Sequence, residues 1–359
     1  MTTRVHSSAG APCARTTRAI ASALGIAAAL GLSAVAPADD LIVIDYGNST
    51  IRRYDAATGA YVADVLGGLP LTNPHGFCRN AAGEWFITDE TGNVWRYDAT
   101  GTLVGSLTGV IGTPALDRIA FGPDGNLWVS NYSTGAVERY HPVTGAPIGA
   151  FASGNGLSTP NGWAFGPDGN FYVASEDTDS IKRFNGTTGA FIDDFVAAGS
   201  GGLDAPVSVV FGPDGNLYVP SIFTDSVKRY NGSTGAFIND FVAPAAGGLD
   251  FPVSAWFGPG GDLFVGGVTA TALKRYSGTT GAFIGDFTTA NVNGITHFEF
   301  VDSPCYPDCN ASGSLTVADF GCFQGKYVLG DLYADCNASG TLTVADFGCF
   351  QGKYVLGCP

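Results

Sequence analysis

The sequence predicts an all-β fold followed by a small helical module, and composition, an internal repeat and a C-terminal duplication carry that expectation. Of 359 residues 52 are Gly, about 14% and roughly twice the usual share, while 45% are hydrophobic and 14% charged. So large an apolar fraction excludes a disordered chain, and the absence of Gly at every third position excludes collagen. The apolar set is aromatic, with 24 Phe, 14 Tyr and 5 Trp against a single Met, which suits strands better than helices.

The repeat comes next. A segment of the type Gly-Asn-Leu-Tyr-Val begins at Asp39, Gly83, Gly125, Gly169, Gly215 and Gly261, at intervals of 44, 42, 44, 46 and 46. Each copy is followed by an apolar-x-Arg-aromatic strand (residues 51 to 54, 94 to 97, 137 to 140, 181 to 184, 227 to 230 and 273 to 276), a Thr-Gly turn and another apolar run. Strands alternating with Gly/Asn/Asp turns at a period in the forties are the signature of four-stranded propeller blades. A further strand precedes each Gly-Asn segment, at 74 to 77, 117 to 121, 161 to 165, 207 to 211, 253 to 257 and 295 to 300. The first unit lacks it and the copy at 295 to 300 is left over. That copy is expected to pair beside residues 41 to 65, giving a six-bladed ring whose closing blade is shared by the two ends and leaves no open sheet edge. The arginines at one repeat position (Arg53, Arg96, Arg139, Arg183, Arg229, Arg275) are expected to do one structural task per blade, bonding a neighbouring turn.

Ahead of the repeat, residues 1 to 38 carry Arg4, Arg15 and Arg18, no acid, an apolar run from Ala19 to Ala36 and a small-x-small site at Ala36-Pro37-Ala38. This reads as a secretory signal cut before Asp39, with no membrane span after cleavage and a secreted or surface-attached protein as the product. What remains has 14 basic and 32 acidic side chains. Nucleic acid and anionic membranes, which need clustered Lys and Arg, are therefore not expected as partners. Cys78 stands apart from the other cysteines and is expected to be a buried thiol acting as a small apolar residue.

The runs Phe165-Gly166-Pro167-Asp168-Gly169-Asn170-Phe171-Tyr172-Val173 and residues 211 to 219 resemble NHL-type repeats, a likeness covering residues 39 to 302. It is specific for the fold and not for function, since such propellers serve as binding platforms, lactonases and lyases. The site is expected where the innermost strands begin, because six loops converge there and need not be identical. The positions are His75, Asp117, Asn161, Val207, Val253 and Thr296, followed by Gly76, Arg118, Gly162, Ser208, Ser254 and His297. Half of this rim is polar and half apolar. The segment Ser158-Thr159-Pro160-Asn161-Gly162-Trp163 resembles the metal-binding strand of the gluconolactonase family, which implies Asn161, with Asp117, as ligands of a weakly held divalent ion. That family's ligand and base Asp is replaced here by Val207. Streptogramin-lyase-like propellers use mouth histidines, which implies His75 and His297, with Asp117 and Arg118, as the catalytic candidates. The pleat places positions 75 and 297 on opposite sides.

Residues 308 to 330 recur at 335 to 357 with the single change Ser314 to Thr341. Read as twelve-residue calcium loops, the ligand positions fall at Asp308, Asn310, Ser312, Ser314, Thr316 and Asp319, and at Asp335, Asn337, Ser339, Thr341, Thr343 and Asp346, with Gly313 and Gly340 at the sharp turn. Phe320, Phe323 and Tyr327 then mark one face of a short helix. This duplication resembles a GC-type dockerin over residues 303 to 359, which implies two Ca2+ sites, an EF-hand-like fold and a cohesin-like scaffold protein as partner. It departs from the pattern at Ser312 and Ser339, where Asp is usual. In an exported protein the six clustered cysteines form a disulfide framework. Cys305 is expected to pair with Cys358, while Cys309, Cys322, Cys336 and Cys349 close within or across the repeats.

Taken together, residues 39 to 302 are expected to be a six-bladed binding propeller for a small molecule, glycan or protein ligand. Residues 303 to 359 would attach it to a scaffold or cell surface. A metal-assisted lactonase or lyase acting on a carbohydrate-derived substrate, and a structural envelope protein, are the alternatives.

Overall fold

The computed structural model describes residues 40–67, 70–80, 82–107, 116–289, 291–301, 316–329, 334, 342–344, 346–348 and 350–351. The segment read as a secretory signal, most of the residues read as calcium loops and five of the six clustered cysteines lie outside them.

The repeat folds into six four-stranded sheets, the blades of a propeller. Blade 1 joins the last strand, Phe298–Val301, to Asp40–Asp45, Thr50–Asp55 and Tyr61–Gly67, so the left-over copy of the innermost strand closes the ring from the far end of the repeat. Blades 2 and 3 open with Pro74–Arg79 and Leu116–Phe121, and blades 4 to 6 with Pro160–Phe165, Val210–Phe211 and Pro252–Phe257. Two of these innermost strands are shorter than the sequence suggests. In blade 5 residues 207 to 209 stay outside the strand and only a Pro206–Ser221 bridge precedes it. In blade 1 pairing begins at Phe298, not at Ile295.

The second strand of every blade is the most buried, because it is covered on both faces by neighbouring blades. Packing repeats with the sequence. Tyr172 sits edge-on between Phe195 and Phe211 at 4.9 and 5.0 Å, and one blade later Tyr218 sits between Phe241 and Phe257 at 4.9 Å each. Cys78 lies fully buried among Phe86, Ile119, Leu127 and Tyr140 and keeps its thiol.

Four of the six repeated arginines hold their own blade's turn. Arg96 reaches Glu84 at 2.7 Å, Arg275 reaches Asp262 at 2.7 Å, and Arg139 and Arg229 lie 3.6 and 3.8 Å from Asp124 and Asp214. Arg183 instead takes both oxygens of Asp193, on the next strand. The Gly-Pro-Asp-Gly-Asn turn is fixed by its aspartate: Asp168 Oδ1 accepts the Asn170 N–H at 3.0 Å and Asp168 Oδ2 accepts the Tyr172 hydroxyl at 3.0 Å.

The seam is tied by more than the strand pair. The N–H groups of Ile44, Tyr46 and Gly47 donate to the carbonyls of His297, Gly294 and Asn293 at 2.9, 3.0 and 2.7 Å. Asp45 accepts the Asn293 N–H at 2.8 Å, and Arg52 bridges Asp45 and the Asn291 carbonyl.

Leu41–Glu299 form one compact unit, and the described residues of the C-terminal duplicate belong to a second. In the latter, Val317–Leu329 is a helix whose Phe323 packs with Phe350 at 4.1 Å between ring centroids, flanked by Phe320, Tyr327 and Phe347. The aromatic face expected from the sequence is the face that packs. No described helix is long and apolar enough to cross a membrane.

Candidate binding site at the mouth of the ring

The innermost strands deliver their first residues to one cavity of about 160 Å3. That is the scale that accommodates a benzene-sized group, so a single ring or side chain fits inside it. Of the residues singled out from the sequence, His75, Asp117, Arg118, Asn161, Ser208, Ser254, Thr296 and His297 all line it.

Both histidines reach the cavity, unlike the pleat expectation. Position 297 precedes its strand, so strand alternation does not govern it. His75 packs edge-on against Tyr46 at 5.5 Å and its Nδ1 lies 3.9 Å from Asp117 Oδ1. His297 packs on Phe77 at 5.0 Å, with Nε2 3.5 Å from Glu299. Thr296 donates its hydroxyl to the Pro74 carbonyl at 2.9 Å and so braces the entrance. The Arg118 guanidinium lies over the Trp163 ring at 5.1 Å.

The polar wall is a connected row. Tyr132 hydroxyl donates to Asp117 Oδ2 at 2.6 Å and also contacts Asn161 Oδ1, while Asn161 Nδ2 donates to Glu176 Oε2 at 2.6 Å. Burial pushes the Tyr132 phenol well above its ordinary value, with the nearby Asp117 carboxylate adding to it, so the hydroxyl stays protonated. Burial also raises the Glu176 carboxyl, partly offset by the Asn161 hydrogen bond. Two further contacts seat this wall against the second strand of the preceding blade: Ser130 donates to the Asn161 carbonyl and Thr88 to the Asp117 carbonyl, each at 2.5 Å. The opposite wall is aliphatic, made by Val207, Ile222, Val253 and Val268.

Tyr46, Tyr132, Glu176, Ile222 and Val268 were not among the sequence-selected residues. They occupy one repeat position, the first residue after each second strand, where blade 2 has Glu90. The signal was available as variation at that position inside an otherwise repeated context.

A divalent ion at Asn161 and Asp117 would need oxygens turned toward a common centre. Here both ends of the Asn161 amide are engaged, by Tyr132 and Glu176, and Val207 contributes no oxygen at the fourth blade boundary. Among the described residues no group of three His, Cys, Asp or Glu side chains is placed to hold a metal ion.

In the C-terminal unit, Thr316, Asp319, Thr343 and Asp346 are the described members of the two loops. Asp319 Oδ2 accepts the Thr316 N–H at 2.7 Å and its hydroxyl at 3.1 Å. Asp346 and Thr343 repeat this at 2.7 and 3.2 Å. Each buried aspartate thus caps the N–H of the threonine at a helix start. Asp308, Asn310, Ser312, Ser314, Asp335, Asn337, Ser339 and Thr341, with Cys305, Cys309, Cys336, Cys349 and Cys358, lie outside the described residues.

No family model matches the chain and no curated protein resembles it. Solved structures do. A chain of a nidogen/laminin complex is similar with a TM-score of 0.56 and 15% identity, over 74% of this chain and 99% of that one. A protein of unknown function from Bacteroides caccae gives 0.53 and 14%, over 73% and 98%. A virginiamycin B lyase from Staphylococcus aureus gives 0.46 and 18%, over 58% and 67%. At these identities the likeness is one of fold, and the first two structures, matched almost from end to end, carry it.

Proposed function

We propose that this protein is an exported binding propeller that captures a small molecule, or the terminal group of a glycan or protein, in the cavity at the ring mouth. Its C-terminal duplicate holds it on a scaffold or cell surface through a calcium-dependent, dockerin-like contact with a cohesin-like partner. Cys305 pairs with Cys358 to clasp that module. The observation that supports this reading most directly is the cavity itself. Five of six equivalent positions line it with five residues of which four differ, so one half forms hydrogen bonds and the other is aliphatic. A repeat position released from its structural pattern in this way is a recognition surface.

A second reading, a lyase or lactonase, is favoured by one proximity: His75 Nδ1 lies 3.9 Å from Asp117 Oδ1, outside hydrogen-bond distance but close enough for a small shift to pair a base with a carboxylate. It takes the same cavity and the same residues.

Calorimetric titration of the full chain with panels of small molecules, glycan termini and peptides tests both. A ligand of the mouth is expected to bind at least tenfold more weakly, about 1.4 kcal/mol, to Asn161→Ala. Equal binding by the variant rules the mouth out, and turnover of the ligand that is lost in His75→Ala replaces binding by catalysis.

A further inference from the structure

The aliphatic wall continues out of the cavity onto an aromatic lip. Ile222 lines the cavity, and the next residue, Phe223, is 64% exposed, where the other blades place Gly47, Thr91, Ser133, Asp177 and Thr269. Its ring meets that of Phe251, 38% exposed, edge-on at 6.1 Å. Phe251 is tied to the same wall by the Val268 N–H, which donates to the Phe251 carbonyl at 3.2 Å.

Phe251 is also in an unfavourable conformation, with φ at 44°. The repeat imposes this on the residue before each innermost-strand proline, and Asn73, Thr159 and Ala205 take it at 45°, 45° and 52°. Asn tolerates the left-handed region, whereas a bulky aromatic there is strained, at a cost on the order of 1–3 kcal/mol. Phe251 therefore carries backbone strain while more than a third of it stays exposed to solvent. It fits a surface that an apolar group covers.

Charge decides the other end. Asp117 and Glu176 line the polar wall against the single guanidinium of Arg118, and the chain as a whole carries a formal charge of −15. Such a field attracts cations to the mouth. The rings of Tyr46 and Tyr132 add aromatic surface that suits an organic cation.

We propose that the mouth binds an organic ammonium joined to an aromatic arm, the ammonium at Asp117 and Glu176 and the arm across Phe223 and Phe251. This rests on the mouth being the binding site and names the ligand class it takes. A free aromatic amine and the amino terminus of a polypeptide that begins with an aromatic residue share this chemistry.

The test titrates the full chain with phenethylamine, ethylamine, 2-phenylethanol and the tripeptide Phe-Gly-Gly at low and moderate salt. Phenethylamine is expected to bind at least tenfold more tightly than either ethylamine or 2-phenylethanol, and more weakly as salt rises. Phe223→Ala, an exposed position whose folding is checked by its melting curve, should reduce phenethylamine to the level of ethylamine. Glu176→Gln should reduce it to the level of 2-phenylethanol. Tighter binding of Phe-Gly-Gly than of phenethylamine identifies a polypeptide amino terminus as the source, and the reverse identifies a free amine. Equal affinity for the amine and the alcohol overturns the cationic head, and an unchanged Phe223→Ala overturns the lip. Failure of all four probes, with another ligand still lost on Asn161→Ala, overturns this inference and leaves the mouth as the binding site. Probes that bind Asn161→Ala and Glu176→Gln as tightly as the parent chain place the ligand elsewhere and overturn both readings.

Discussion

Asn161 shows how one side chain serves both scaffold and site. Its carbonyl is held by Ser130 from the neighbouring blade, while its amide spans Tyr132 and Glu176 across the cavity wall. The next residue must be glycine for a different reason: a Cβ at Gly162 would lie 2.8 Å from the Val207 carbonyl, to which the Gly162 N–H donates. Glycine is most constrained in the Thr-Gly turns. Gly235 has φ at 70°, and a Cβ there would fall 1.7 Å from the Phe195 carbonyl of the preceding blade. Gly235→Ala combines the left-handed backbone with a backbone clash that no rotamer relieves. It should destabilise the full chain by roughly 1–3 kcal/mol, read as a lower midpoint in chemical denaturation. A midpoint within error of the parent chain would show that the turn relaxes away from blade 4.

At the scale of the element, the Gly-Pro-Asp-Gly-Asn turns couple blade stability to pH. Burial pushes the carboxyls of Asp168 and Asp214 up, but hydrogen bonds from Asn170 and Tyr172, or Asn216 and Tyr218, with the nearby arginine, outweigh it and hold both below their ordinary value. A carboxyl lowered on folding contributes stability above its unfolded pKa and loses it as pH falls through the folded one. The full chain should therefore melt progressively lower below about pH 4. Asp168→Asn with Asp214→Asn should lower the melting temperature at pH 7 and bring it close to the parent's at pH 3, a comparison that circular dichroism makes directly. An equal loss at both pH values would mean that the turns act through shape and not charge. These turns were fully legible in the sequence, because Asp, Gly and Asn each do local work there. The innermost strands were less so: Val207 and Ile295 match their repeat counterparts, yet both stay outside the strand, since pairing of a short strand is decided by the neighbours it meets.

For the whole molecule, the closing of the ring and the tail set the tests. If the duplicate binds calcium, scanning calorimetry of the full chain should show one component whose midpoint rises with calcium and falls with a chelator, while the propeller component stays fixed. Asp319→Ala with Asp346→Ala should abolish that response. A scan indifferent to calcium would leave a cysteine-stapled pair in which these aspartates serve only as caps for Thr316 and Thr343. The sequence by itself determined the number of blades, the sharing of the closing blade and half of the mouth, because period, turn residues and broken symmetry are properties of the chain read along its length. Only the tertiary structure decided that Tyr132 and Glu176 join Asp117 and Asn161 in one wall, that both histidines face the cavity, and that Phe223 meets Phe251 at its lip. The Tyr132–Asn161 and Phe223–Phe251 contacts cross from one blade to the next, where distance along the chain says little about distance across the ring.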